Sequence, residues 1–221
     1  MILFELTNSE DHPVYQALEI SNGNRQYSFI HSAFIAAFDI NRLHLSQTVI
    51  KALNYQVIAC LHTNAGDYRP CQVQVGTHTP PAHYRVGALM EDFVDTVNRI
   101  WEIEEPIALA SFVLWRLNHI HPFINGNGRT ARAASYFVLC LKVGGWLPGK
   151  TILPELLRRE RVAYIAALQA ADLSLVTGNL NLTELHALIT KLLEEQINGA
   201  GTAPPTSPGP APESTPLLPA P

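Results

Sequence analysis

The feature that most constrains this chain is a pair of apolar helical stretches, Pro106–Ile120 and Ala131–Val143, joined by a short segment rich in glycine, asparagine and charge. In the first stretch proline stands at a plausible first helical position, and Leu109, Val113, Leu117 and Ile120 follow at steps of four, four and three, which puts them on one face. Pro122 disfavours helical geometry in its predecessor, so His121 is predicted at or just past the helix end, projecting toward the turn. Asn127 is the expected N-cap of the second helix. There Ala131, Ala134, Tyr136, Phe137, Val138 and Leu141 are apolar nearly all round, the mark of a central, buried helix.

The connection His121-Pro122-Phe123-Ile124-Asn125-Gly126-Asn127-Gly128 has the composition of a phosphate site. Gly126 and Gly128 accept positive φ without a Cβ clash, which lets the backbone N–H groups around Asn127 curl about an anion. The turn opens a helix, whose N-terminus favours negative charge. Arg129 and Arg132 lie near one face of that first turn, where the helix dipole already supplies partial positive charge. Such crowding is unfavourable without an anion, and a polyphosphate reverses its sign through forked arginine contacts.

Elsewhere the dominant period is helical, through Ala33–Ala37, Ile50 to Leu61, Val86–Ile100, Arg161–Leu168 and Thr183–Ile197. Alternation in Tyr68–Gly76 predicts one short β-hairpin. A single helical domain over residues 1–198 is expected, followed by a Pro-rich disordered tail at 199–221 that holds eight of the sixteen prolines. The tail reads as a solvated extension, or as a docking or export signal carried by Pro205-x-x-Pro208. Hydrophobic residues make up 47% of the chain, ample for a core. Cys60, Cys71 and Cys140 are odd in number and lack metal-like spacing, which argues for a reducing compartment. A start without signal-peptide character and the lack of any ~18-residue apolar run argue for a soluble cytoplasmic protein with no membrane partner, an exported effector being the alternative. A net charge of −4 gives no reason to expect nucleic-acid binding.

His121, Phe123, Gly126, Asn127, Gly128, Arg129 and Arg132 resemble the Fic (Fido) signature H-x-F-x-[D/E]-G-N-G-R-x-x-R. Gly66-Asp67-Tyr68-Arg69 with Val73-x-Val75 resembles the family's target-docking flap, and Arg161-Val162-Ala163-Tyr164 with Leu168 its C-terminal helix. The resemblance implies a mainly α, Fic-type helical bundle with one β-hairpin flap beside the active-site loop. It also implies transfer of AMP from ATP to a Ser, Thr or Tyr hydroxyl of a target protein. His121 would be the general base, a role that suits an imidazole of ordinary pKa near 6.5. Gly126, Asn127 and Gly128 would cradle the phosphate, and Arg129 and Arg132 would hold the β- and γ-phosphates. Val73 and Val75 would dock an extended target segment by strand addition. Phe123 would anchor the loop.

Asn125 departs from the signature, standing where Asp or Glu holds Mg²⁺; a neutral amide weakens that metal site. This leaves open an enzyme of reduced activity, or a nucleotide-binding module with weak or no catalysis. Transfer of another phosphate-linked group is a further alternative, although relatives that move the terminal phosphate carry lysine at the position of Gly128. The family's inhibitory pattern [S/T]-x-x-x-E-[G/N] is met in part by Thr190 and Glu194, with Glu195 in place of Gly or Asn; the same spacing suits a solvated helix face. No N-terminal match is found, which implies either no restraint in cis or an inhibitory partner. A metal hydrolase built on His119 and His121 with His78 or His83 is the remaining class, and it lacks an acidic or cysteine ligand nearby in sequence.

Overall fold

The computed structural model describes residues 2–199, so all of the predicted Pro-rich tail except Gly199 lies outside the described residues. The elements are α1 (Leu3–Thr7), α2 (Pro13–Asp39), α3 (Gln47–Ile58), a 3₁₀ turn at His83–Arg85, α4 (Val86–Arg99), α5 (Pro106–Ile120), α6 (Asn127–Val143), α7 (Leu153–Arg159), α8 (Arg161–Val176) and α9 (Thr183–Asn198). None is long and apolar enough to cross a membrane.

The centre of the bundle is the pair read from sequence. α5 starts where the Glu105 carboxylate accepts from the Ile107 and Ala108 N–H groups with Pro106 in the first turn, and it stops at His121, which adopts the left-handed conformation (φ 50°, ψ 60°) before Pro122. α6 ends at Gly144, also left-handed. Ala131, Ala134, Tyr136, Phe137, Val138 and Leu141 are buried all round α6, which packs against α2, α3, α5 and α7. Each large aliphatic side chain sealed there contributes roughly 1.5–3 kcal/mol.

α2 is longer than the apolar period shows, because its buried positions include polar residues. Asn22 Nδ2 donates to the Ala59 carbonyl (3.0 Å) and Gln26 Nε2 to that of Leu53 (2.9 Å), so α2 is fastened to α3 by amide side chains as well as by apolar packing. Periodicity in the hydrophobic residues alone captured only its Ala33–Ala37 turn.

The predicted hairpin is reduced to one antiparallel bridge, Val75 with His78, closing a two-residue turn at Gly76-Thr77. Pro70, Pro80 and Pro81 flank it and lack the N–H groups that a longer ladder needs. Side chains take over: Gln72 Nε2 donates to the Pro80 carbonyl (2.8 Å) and Gln74 Nε2 to that of His78 (2.8 Å). Buried Arg69 donates from Nε to the His121 carbonyl (2.8 Å), from Nη1 to Cys71 (2.9 Å) and from Nη2 to Pro81. The loop is therefore stapled to the end of α5 through a guanidinium.

Candidate active site

Between α5 and α6 the chain makes a bend fixed on three sides. Phe123 is fully buried against the Tyr68 ring, whose hydroxyl donates to Gln47 (2.8 Å). Asn54 of α3 donates to the Asn125 carbonyl (2.9 Å) and accepts from the Gly66 N–H (3.0 Å), tying the bend to both α3 and the loop. Asn127, expected as an N-cap, has another task. Its side chain accepts from the Phe123 N–H (2.9 Å) and donates to the Phe123 carbonyl (2.8 Å), bracing the bend internally while Gly126 takes the cap position.

Gly126 (φ 77°) has no alternative there, since an added Cβ would fall 2.6 Å from Ile58 Cγ2. Gly128 lies within ordinary helix, where a Cβ would meet only Arg132 Nη1 at 3.4 Å. Its glycine identity is therefore not demanded by the backbone and instead keeps the cavity floor open. With no side chain capping α6, its first N–H groups face a cavity of about 1340 Å³, ample for a nucleotide.

His121, Asn125, Gly126, Asn127, Gly128, Arg129, Arg132 and Val75 all line that cavity, whereas Val73, Thr190 and Glu194 do not. Glu194 is exposed on α9, and the Thr190 hydroxyl donates to the His186 carbonyl (2.9 Å). Burial pushes the His121 imidazole down to about 4; the Asn118 carbonyl opposes the shift, and His78 and Arg69 add to it. The ring is thus uncharged at neutral pH and available as a proton acceptor. Burial also lowers the Arg132 pKa, against which Tyr164 and Glu155 act, and it raises the Tyr164 hydroxyl to about 12.

Two features of the site are not visible in the sequence. Arg129 Nη1 is held by Glu19 of α2 at 2.6 Å, so a carboxylate already stands at one of the two motif arginines. The local pattern around it, Tyr15-x-x-x-Glu19-Ile20, has neither Ser/Thr at its start nor Gly/Asn after the glutamate, which hid it. Asn125 is the second. Its Oδ1 accepts from the Gly126 N–H (2.5 Å) and Arg129 Nη2 (3.2 Å), while Nδ2 lies 2.9 Å from Glu10 Oε1 and 2.8 Å from His62 Nε2. An oxygen facing two N–H donors, one of them cationic, does not suit Mg²⁺, which prefers carboxylates with phosphate oxygens.

His119 and His78 approach one another, with Asp172 of α8 as the acidic neighbour that sequence reading lacked. His121 and His83 are not part of that group.

The described residues thus form a helical bundle in which a helix–bend–helix segment, an imidazole and two arginines line one cavity. Residues 44–139 match the Fic/DOC family. It is 35% identical over 101 residues to protein adenylyltransferase Fic of Drosophila willistoni, covering 45% of this chain and 20% of that protein. Fic-1 (residues 134–508) from C. elegans superposes with a TM-score of 0.65 at 25% identity, over 81% of this chain and 49% of that one. A Fic domain containing signalling protein from Bacteroides thetaiotaomicron shares the fold (TM-score 0.65, 23% identity, 90% and 76% covered). The chain spans about a fifth to under a third of the length of the curated relatives it matches.

Proposed function

We propose that this domain transfers AMP from ATP to a hydroxyl side chain of a target protein. One observation carries the reading: an uncharged imidazole and an uncapped helix N-terminus with two arginines line the same cavity. The name protein adenylyltransferase borne by the Drosophila relatives supports it. In the reaction, His121 accepts the proton of a Ser, Thr or Tyr hydroxyl, and the oxygen attacks the α-phosphorus. The bond from that phosphorus to the bridging oxygen breaks, and pyrophosphate leaves. N–H groups of the Gly126–Gly128 turn stabilise the charge on the reacting phosphoryl. Arg132, and Arg129 once released from Glu19, hold the departing phosphates. The loop carrying Val73 and Val75 presents the target segment beside His121. No step is routed through a metal, because Asn125 offers no charge and its oxygen is already engaged.

Incubation of a cell extract with the chain and ATP labelled at the α-phosphate is expected to label protein, and His121→Ala to abolish the label. Label arising only from the γ-phosphate, or undiminished in His121→Ala, overturns the assignment. A second reading, a nucleotide-binding domain of weak turnover, draws on the engaged Asn125 oxygen. ATP binding by calorimetry without transfer, and transfer restored by Asn125→Asp, would favour it.

A further inference from the structure

A loop lining the cavity, α5 and α8 meet at three side chains that also line it and to which the transfer chemistry gives no role. His78, His119 and Asp172 bring one ligand atom each to within 4.8 Å of the others. Their side chains are 25%, 19% and 28% exposed, so the cluster is largely walled off while one side stays open to water. His78 Nε2 lies 2.9 Å from the His119 carbonyl, which accepts only if that nitrogen carries the hydrogen. The ring's other nitrogen, Nδ1, is thereby turned toward Asp172 Oδ2, 3.6 Å away, a gap too long for a hydrogen bond. Their separation is close to the ~3.4 Å edge of a tetrahedron whose bonds are about 2.0–2.2 Å.

The surroundings complete the set. His119 Nδ1 is 2.7 Å from Asp172 Oδ1, and Trp115 Nε1 donates to that same oxygen (2.9 Å), fixing the carboxylate. At that distance His119 Nδ1–H donates to the carboxylate, so a bound ion takes that hydrogen's place and the ring carries its hydrogen on Nε2 instead. Outer-sphere donors of the kind supplied by Trp115, and an acceptor such as the His119 carbonyl, are what orient metal-bound carboxylates and imidazoles. Two imidazoles and one carboxylate select a borderline dication such as Zn²⁺ over Mg²⁺ or Ca²⁺.

We propose that His78, His119 and Asp172 bind Zn²⁺, with water as the fourth ligand, and that the ion clamps the cavity loop to α5 and α8. The ligands come from residues far apart in sequence, so the site exists only in the folded chain. It fastens the loop two residues from His121, and nothing in it depends on nucleotide or target.

The test uses the full chain with Cys60→Ser and Cys71→Ser, which removes the exposed thiols. The protein is stripped with chelator and titrated with ZnCl₂ by calorimetry, and with Co²⁺ by visible absorption. One equivalent is expected to bind, with the intense d–d bands of tetrahedral Co²⁺. His78→Ala lies on the loop and leaves the helical core intact; it and Asp172→Asn are each expected to weaken binding more than the ~10–100-fold cost of losing an outer-sphere partner. His31→Ala, outside the cluster, is expected to bind as the parent does. Substoichiometric binding by the parent, or equal binding by a folded His78→Ala variant, overturns the assignment.

Discussion

Glu19→Gln tests whether the carboxylate on α2 competes with nucleotide for Arg129. The pair is short, 2.6 Å, but its side chains are 40% and 23% exposed, so its net worth is about 1 kcal/mol. A phosphate oxygen that displaces Glu19 leaves the carboxylate some ~6 Å away, where like charges repel by about 1.4 kcal/mol at an effective dielectric of ~40. Glutamine preserves shape and hydrogen bonding while removing both terms, together about 2.4 kcal/mol, or roughly 60-fold in the Kd for ATP. Calorimetry on the parent and Glu19→Gln measures this directly. Repeating it in an Arg129→Ala background closes a thermodynamic cycle in which the gain is expected to fall to the repulsion alone, about 10-fold. A folded Glu19→Gln that binds ATP no more tightly than the parent refutes the argument. So does a gain undiminished without Arg129, which would leave the ion pair no part in it.

Two glycines of one turn should separate folding from binding. Gly126→Ala forces a Cβ to within 2.6 Å of Ile58 at a positive φ, and it is expected to cost about 2–5 kcal/mol and lower the Tm by ~5–15 °C in differential scanning calorimetry. Gly128→Ala, in helical geometry, is expected to melt within a few degrees of the parent yet bind ATP more weakly, because its Cβ enters the cradle. The reverse ranking would contradict both assignments. Glu105 caps α5 and pairs with His186 at 2.7 Å. Its pKa lies below the usual 4.5: burial acts against ionisation, but the Ile107 and Ala108 N–H groups and His186 outweigh it. A carboxylate depressed in the folded state contributes its stability above the unfolded pKa and loses it as pH falls through the folded one. Glu105→Ala is therefore expected to unfold about 1–2 kcal/mol more easily at pH 7 in urea titrations. That difference should shrink below pH 4, and a constant one would rule out the cap.

The bend and its two helices were legible because their determinants are local. Proline at the start of α5, glycine at the turn and 3.6-residue apolar spacing act within a few residues, and the structure keeps each of them. The loop was misread for the opposite reason. Alternation in Tyr68–Gly76 satisfied a strand pattern, but Pro70, Pro80 and Pro81 remove donors and Arg69 draws carbonyls inward, a contest decided by a buried guanidinium that no alternation rule weighs.

Glu19 and Asp172 were illegible on stronger grounds. Each is a lone carboxylate on a helix, and along the chain nothing separates it from its solvated neighbours. Its meaning comes from a helix crossing that brings position 19 to 129 and position 172 to 119. Such a crossing is set by apolar packing among other residues, such as the buried Ile30 and Phe34 of α2 in the core that α2 and α6 share, so the charge is placed by a core it does not belong to. A motif records which groups a phosphate needs, whereas the restraint on those groups is recorded only in the packing. The candidate site residues are therefore readable from a few consecutive positions, and the carboxylate that engages one of them is not.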